Sequence, residues 1–180
     1  MRFWARDLLH FWFSVLGPGD WFGSSAEVDG ELERRFGKWL IALGKRPASE
    51  FLSDPDTARA AILLFDQCPR NIHRGSAKAF AYDSLALAIC HGALARGWDQ
   101  DLTNPPKQFL FLPLMHSEAI ADQRLSLRKF TELNNSFVIS FARAHFAMIA
   151  RFGRFPHRNA ALGRSSTAAE KRAIEAGHSW

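Results

Sequence analysis

Apolar residues recur at helical spacing along most of the first half of the chain. Between residues 3 and 16 they lie close to an i, i+4, i+8 stripe, which Gly17-Pro18-Gly19-Asp20 ends. Asp54 followed by Pro55 predicts a helix start, and Pro69 is expected to end that helix because proline has no N–H to donate. Two more helices are predicted, over about Glu27–Leu43 and about 76–95.

The second half has one ambiguous stretch, residues 98–114. Phe109-Leu110-Phe111-Leu112 fits a buried turn of helix or a short strand, and Pro113 argues against a long continuous element. Helices are predicted afterwards over about Ser117–Leu133, from the caps Asn134-Asn135-Ser136 to about Phe152, and from a capping box of Thr167 and Glu170.

These elements place the chain in the all-α class. About seven helices joined by short turns predict antiparallel helix pairs, and 180 residues fit one helical domain over residues 1–180. Residues 65–74 and 152–164 both give Phe, three residues, Pro, then Arg-Asn and a further Arg. This similarity is either chance or a pseudo-repeat of helix pairs, and in both cases two helix ends are expected to present Arg-Asn in the same local setting.

Composition adds an aromatic core and a basic balance to this picture. The chain has 16 Phe and 6 Trp, large side chains that contribute much of the burial energy of a fold. The formal net charge is +5 and the pI is about 9.7. This balance fits an ordinary basic soluble protein, or one with an anionic partner such as a phosphate, a carboxylate or a nucleic acid.

Cysteine usage and the N-terminal pattern indicate where the protein acts. Cys68 and Cys90 are too few for a disulfide framework. Arg6, Asp7 and His10 interrupt the apolar N-terminal stretch, so it does not fit a signal peptide. No run approaches about 18 uninterrupted apolar residues, so we expect a cytoplasmic protein without a membrane span.

The first polar motif is Asp66-Gln67-Cys68-Pro69-Arg70-Asn71. If Pro69 turns the chain, its polar groups cluster at a helix end instead of forming an i, i+4 pair of Asp66 and Arg70. A network that caps the turn is the simplest interpretation. Arg70 and Arg74 are more cationic than a turn requires, which favours a ligand-binding role for Asp66, Gln67, Arg70, Asn71 and Arg74.

The second polar motif, Pro113-Leu114-Met115-His116-Ser117-Glu118, places three polar residues at the start of a helix. Ser117 and Glu118 fit an N-cap and a contact with the helix dipole, and His116 fits a packed core histidine. The functional alternative makes His116 a general acid/base that Glu118 holds in place. Ser117 as a nucleophile has no strand or elbow in its support.

The third motif is a cluster of arginines and histidines near the C-terminus. Its predicted ligand-binding members are His145, Arg151, Arg154, His157, Arg158 and Asn159, with Arg143 and Arg164 nearby. His145 lies in the most apolar helix, where a polar side chain must find a partner. Residues 130–170 contain no lysine, and arginine binds carboxylate or phosphate through two parallel hydrogen bonds. The motif therefore predicts an anion site.

A metal site is the less favoured interpretation of the same residues. His116, Glu118, His145 and His157 are enough ligands for zinc or iron. However, the sequence has no His-x-x-x-His or Cys-x-x-Cys spacing, and the nearby arginines repel a cation. We therefore predict neither a metal ion nor another cofactor. Cys68 is close to Asp66, which does not favour a reactive thiolate.

Four ordered motifs are similar to those of a known family. They are Phe11-Trp12-Phe13 with Trp21-Phe22, Asp66-Gln67-Cys68-Pro69-Arg70-Asn71, Phe111-Leu112-Pro113-Leu114-Met115-His116-Ser117-Glu118 and Arg151-Phe152-Gly153-Arg154-Phe155-Pro156-His157-Arg158-Asn159. On these motifs the chain resembles, over nearly its whole length, the bacterial family catalogued as domain of unknown function (DUF) 924. The resemblance implies a helical fold similar to tetratricopeptide repeats, and it implies that the three polar motifs belong together. It implies no reaction.

Three functions are compatible with these features. The first is a polar pocket in which Arg70, Arg74, Arg154 and Arg158 hold a small phosphate or carboxylate ligand and His116 moves a proton, with catalysis left open. The second is a peptide- or protein-binding helical-repeat module that uses Trp21 and Phe22 as anchors. Nucleic-acid binding is the weakest, because the chain lacks lysine-rich stretches and an aromatic stacking platform.

Overall fold

The computed structural model describes residues 1–23 and 25–177. Over these residues the chain is helical and has no β-strand, which confirms the all-α prediction. The α-helices of the described residues are α1 Phe3–His10, α2 Pro18–Trp21, α3 Ala26–Leu43, α4 Pro55–Ile62, α5 Cys68–Ile72, α6 Asp83–Ala95, α7 Pro106–His116, α8 Ile120–Thr131, α9 Ser136–Phe152 and α10 Ala168–Glu175.

Short segments of other helix types complete these elements. A π-helical turn, Phe11–Val15, extends α1, and a second one, Leu63–Gln67, joins α4 to α5. The region predicted as one helix over 76–95 divides into a 3-10 turn, Ala77–Phe80, and α6. A further 3-10 turn, Pro156–Arg158, follows α9.

Three predicted helix caps are confirmed. The Asp54 carboxylate accepts from the Thr57 N–H at 2.9 Å, and the Asn135 side chain accepts from the first N–H groups of α9. At the start of α10, the Glu170 N–H donates to the Thr167 hydroxyl and the Thr167 N–H donates to the Glu170 carboxylate. These side chains satisfy N–H groups that have no partner within the helix.

The prediction that Pro69 ends its helix is wrong. The chain stays helical from α4 through the π turn into α5, with Pro69 in the first turn of α5. The Cys68 N–H donates to the Leu63 carbonyl, five residues back, which makes the turn before Pro69 wider than an α-helical one. The wider turn relieves the clash that a proline ring makes with the carbonyl four residues before it.

The expectation that Pro113 excludes a long element is also wrong, because Pro113 lies inside α7. An interior proline costs a helix about 3 kcal/mol. The neighbouring apolar side chains offset this cost, since each fully buried Leu, Met or Phe contributes roughly 1.5–3 kcal/mol. The buried residues of α7 are Phe109, Leu110, Phe111, Leu112, Leu114 and Met115.

The two Arg-Asn sequences do not share a local setting, contrary to expectation. Arg70-Asn71 lies within α5, after a continuous run of helical turns. In the second sequence, α9 ends at Gly153, whose φ of 69° is left-handed, and the 3-10 turn ends just before Asn159. Similar residue order therefore occurs on two different backbone conformations.

The chain divides into two compact units, and the first contains Met1–Arg74 and Lys78–Pro113. Within it α1 packs on α4, α3 packs on α5, and α4 packs on α6. Trp21, considered above as an anchor for a partner, packs its ring 5.2 Å from Phe109 and donates from Nε1 to the Trp12 carbonyl. Phe22 leaves 59% of its surface exposed. Large aromatic side chains fill the core of this unit, including Trp12, Phe36, Phe51 and Phe65.

The second unit contains Gly75–Ala77 and the chain from Leu114 onward. Within it α8 packs on α9, and a small core forms from Met148, Ile149, Phe155 and Ala173. The single-domain organisation and the tetratricopeptide-like pairing of helices remain predictions. Among the described residues, no helix has both the length and the apolar character that crossing a bilayer requires.

Candidate functional site

In the first unit, the motif that begins at Asp66 forms an internal ion-pair network. Asp66 is fully buried and lies 3.3 Å from the Arg70 guanidinium, so the i, i+4 pair does form. Arg70 also donates two hydrogen bonds to Asp83, at 2.8 and 3.0 Å. Burial by itself lowers the pKa of Arg70, but the charges of Asp66 and Asp83 outweigh it and raise that pKa. Arg70 is thus a neutralised, permanently charged structural group.

The rest of this motif ties α5 to α3. The Gln67 amide donates to Asp66 at 2.5 Å, and the Asn71 amide donates to the Gln67 carbonyl. Arg74 donates twice to Asp29 of α3, at 2.6 and 2.9 Å, and once to Asn71. These contacts favour the structural interpretation of the motif over a ligand-binding one.

Cys68 lies in the same segment and is fully buried. Burial raises the pKa of its thiol, and the Asp66 charge raises it further. The thiol therefore stays protonated and is not a nucleophile.

In the second unit, the polar residues of two predicted motifs gather around the buried ring of Phe155. The His145 ring lies 5.4 Å and the His157 ring 5.6 Å from the Phe155 ring, centroid to centroid. The Arg158 guanidinium lies over the same ring at 4.6 Å. His116 lies 6.3 Å from His145, between ring centroids. We call His116, Glu118, His145, His157 and Arg158 the Phe155 cluster.

Glu118 fixes the backbone of Phe155. One carboxylate oxygen accepts from the Phe155 N–H at 2.8 Å, and both oxygens accept from Arg164, at 2.9 and 3.0 Å. Arg164 also donates to the Phe155 carbonyl. Partial burial by itself raises the pKa of Glu118, but the hydrogen bonds from Arg164 and Phe155 and the charges of Arg164 and Arg158 lower it. Glu118 is therefore an ionised acceptor rather than a base.

His145 is a neutral acceptor at ordinary pH. Its Nδ1 lies 2.8 Å from the Phe141 carbonyl, and because a carbonyl only accepts, Nδ1 bears the proton. Burial, followed by the positive charges of His116, His157 and Arg158, lowers the pKa of His145 to about 3. Nε2 is therefore the ring nitrogen of His145 that bears the lone pair.

Gln123 of α8 holds the chain on both sides of His116. It is fully buried, and its amide donates to the Met115 and Ser117 carbonyls, each at 2.7 Å. The Ser117 hydroxyl accepts from the Ala119 N–H and donates to Asp122. Both contacts fix the backbone that positions His116. Ser117 is not the N-cap that the sequence predicted, because α8 begins at Ile120 and Ala119 is its N-cap.

The remaining predicted residues of this unit make other contacts within it. Arg154 donates twice to Glu170, at 2.7 and 3.0 Å, and once to the Ser165 carbonyl. Asn159 is buried, and its amide donates to the Ser166 hydroxyl. Arg151 is exposed, with its guanidinium over the Phe152 ring at 4.8 Å.

Comparison with known proteins shows the family. The family model described as a bacterial protein of unknown function (DUF924) matches residues 8–178. The chain belongs to this family. A solved structure of a protein of unknown function from Agrobacterium tumefaciens is 35% identical, with a TM-score of 0.90, over 96% of this chain and 97% of that one. A search of curated proteins finds no match.

In this DUF924 chain, cationic side chains converge on Phe155. Arg164 pairs with Glu118, and Arg158 lies over the Phe155 ring and also acts on Glu118. The cluster thus combines guanidiniums, a neutral imidazole at His145 and two further histidines, His116 and His157.

Several residues that shape these sites gave no signal in the sequence. The acidic partners Asp29, Asp83 and Glu170 are distant in sequence from the arginines that they bind. Gln123 fits the polar positions of an ordinary amphipathic helix, so its burial was not predictable. Glu170 was predicted as a capping residue, but its pairing with Arg154 was not.

Proposed function

We propose that this protein binds a small anion, a phosphate or a carboxylate, at the Phe155 cluster of its second unit. The observation in support is the convergence of Arg158, His157 and His145 on the ring of Phe155. An anion beside Arg158 would meet guanidinium and imidazole groups together. Burial is the main cause of the lowered pKa of His145, and the charges of His116, His157 and Arg158 lower it further.

The arrangement of Arg158 suits recognition of an oxyanion. Its guanidinium packs on the Phe155 ring, so the planar group is restrained before a ligand arrives. A restrained guanidinium loses less entropy when it forms two parallel hydrogen bonds to a carboxylate or a phosphate.

Within this proposal His116 is the proton-transfer residue. His145 stays neutral across the physiological range because its pKa is about 3, so it does not supply a proton. His116 is half-buried at the end of α7, within reach of solvent. Glu118 supports catalysis by holding Phe155 and Arg164, as a positioning residue.

The first-unit arginines do not enter this narrower proposal. Arg70 and Arg74 each donate two hydrogen bonds to an aspartate of the same unit. A ligand anion would have to displace those carboxylates, which are already close and well oriented. The proposed site is accordingly smaller than the one that the sequence predicted.

Titration calorimetry with inorganic phosphate at constant ionic strength tests the proposal. We expect saturable binding that weakens about tenfold in Arg158→Gln, since charge-assisted hydrogen bonds are lost. Arg124→Gln removes an exposed arginine of α8 and is the charge-matched control, with unchanged binding. If Arg158→Gln does not fold, His116→Gln replaces it as the test variant, with the same expected loss. Absent binding, or equal affinities in the variant and the control, would overturn the proposal.

A peptide- or protein-binding module is the second candidate. The exposed Phe22 ring favours it, since this ring stacks on Phe109 with 6.0 Å between centroids and so presents a fixed apolar face. Trp21 is less suited as an anchor because it packs against Phe109 and Phe13. If the protein does not bind phosphate in the calorimetric titration, that result would favour this second function.

A further inference from the structure

A surface groove in the first unit is distinct from the Phe155 cluster. It has a volume of about 410 Å³ and lies between one face of α1 with its π extension, residues Asp56 and Arg59 of α4, and Pro106. Small-molecule sites typically range over about 300–1,000 Å³. The groove is thus large enough for a small organic molecule.

Two residues of α1 that line the groove have no charged partner. Arg6 and His10 lie four residues apart, on one face of α1. Among the described residues neither side chain has a hydrogen-bond or ion-pair partner, and the Arg6 guanidinium lies 5.7 Å from the Phe3 ring centroid. Exposed arginines are stable in water, so this feature alone is not a site. It matters because a second guanidinium lines the same groove.

That second guanidinium belongs to Arg59 of α4. Arg59 forms an ion pair with Asp56, three residues before it. Its side chain keeps 20% of its surface exposed and lines the groove, so a ligand there can reach part of it. An oxyanion in the groove would share this guanidinium with Asp56. Two guanidiniums and a histidine therefore share a groove with one carboxylate.

The groove also has an apolar part that is held in place. Leu9, Phe13 and Pro106 line it. The Phe13 ring makes edge contacts with Trp21 and Phe109, at 6.1 and 5.6 Å between centroids. Phe13 belongs to the π turn, a type of segment that recurs at functional sites. A ligand that contacts both the arginines and these apolar residues needs an apolar body as well as a negative charge.

We propose that this groove binds a monocyclic aromatic oxyanion, an aryl carboxylate or aryl phosphate. The ring packs on Phe13, Leu9 and Pro106, and the oxyanion accepts from Arg59 and Arg6. The requirement for an aromatic body separates this ligand class from the phosphate proposed for the Phe155 cluster. The two proposals rest on different residues and are tested separately.

Benzoate and its neutral analogue benzamide are the probes. In an NMR titration of the full chain at constant ionic strength, we expect benzoate to shift the His10, Phe13 and Leu9 side-chain signals with one common saturation curve. Benzamide should bind about tenfold more weakly, because it lacks the charge. The double variant Arg6→Gln/Arg59→Gln should weaken benzoate binding by about tenfold or more. Arg124→Gln is the control, with unchanged affinity.

The spectrum of each variant reports its folding, and His10→Ala is the second test variant if the double variant does not fold. Equal affinities for benzoate and benzamide would overturn the proposal. So would benzoate shifts confined to His116, His145 and His157, or a double variant that binds as tightly as Arg124→Gln. Those outcomes leave the phosphate test of the Phe155 cluster unaffected, so failure of one proposal is distinguishable from failure of the other.

Discussion

Three of the arginines that the sequence assigned to a ligand instead bind carboxylates of the chain. Arg70 binds Asp83, Arg74 binds Asp29 and Arg154 binds Glu170, each through two hydrogen bonds. Paired arginines of this kind position the backbone and add little cationic field. We therefore assign the proposed anion to Arg158 and the histidines of the Phe155 cluster.

At the residue scale, Glu118→Gln should destabilise the second unit. Glu118 accepts three hydrogen bonds from Arg164 and Phe155, and loss of its charge weakens all of them. We expect the free energy of unfolding to fall by about 2 kcal/mol in urea titrations. Glu132→Gln removes an exposed carboxylate paired with Lys129, and its effect should stay within about 0.5 kcal/mol. Equal losses in the two variants would argue against a structural role for Glu118.

Also at the residue scale, the ionisation of Glu170 should make the stability of the protein depend on pH in the acidic range. Hydrogen bonds from Arg154 and the Thr167 N–H lower the pKa of Glu170 to about 2, against about 4.3 in an unfolded chain. Because the folded pKa is the lower one, the stabilisation is complete above about pH 4.3 and is lost as the pH falls towards 2. In Glu170→Gln, the melting temperature should change less with pH over this range than it does in the wild type.

The matched control for this acid dependence is Glu175→Gln, at the exposed end of the same helix. Its melting temperature should fall with pH as steeply as that of the wild type. A Glu170→Gln profile that keeps the wild-type slope would show that other carboxylates account for the acid dependence.

At the element scale, the sequence predicted helix starts correctly where a side chain caps the helix. Asp54, Asn135 and Thr167 were predictable because their oxygens satisfy N–H groups within three residues. Pro69 and Pro113 were not, because the outcome depends on a π turn and on the burial of α7. Local propensity does not include either contribution.

The C-terminus of α9 gives an element-scale prediction. Gly153 has a φ of 69°, and a Cβ there would meet no atom within 4 Å, so Gly153→Ala incurs backbone strain alone. We expect a loss of about 1 kcal/mol in the free energy of unfolding.

The control for this glycine lies inside α3. Gly30 is exposed, and a Cβ there would also meet no atom within 4 Å. Because alanine is the better helix former, Gly30→Ala should stabilise the protein by about 0.5–1 kcal/mol. Thermal denaturation measures both variants. Stability changes of opposite sign support the left-handed cap at Gly153, and a stabilising Gly153→Ala would exclude it.

At the scale of the whole molecule, hydrophobic periodicity was enough to predict the all-α class. The sequence predicted the polar clusters only in part. His116, His145, His157 and Arg158 were chosen from residue type, and the structure gathers them around Phe155. The charge state of their neighbours was not predictable, because the carboxylates that neutralise Arg70 and Arg74 come from other helices. Which residues pair when they are distant in sequence can be determined only from the folded structure.

We also propose that the two units unfold together as one domain. The chain passes between them repeatedly, since Gly75–Ala77 belongs to the second unit and α7 contributes residues to both. Scanning calorimetry should give a single transition whose calorimetric and van't Hoff enthalpies agree. Two resolved transitions would show two independent domains.

The most direct test of the anion site is an NMR titration of arginine Nε–H and histidine side-chain signals with inorganic phosphate at constant ionic strength. Our account predicts saturable shifts of Arg158, His116 and His157 that fit one dissociation constant, while the signals of Arg70 and Arg74 stay fixed in their aspartate pairs. Shifts that rise without saturation, or that are equal at Arg70 and Arg158, would contradict it.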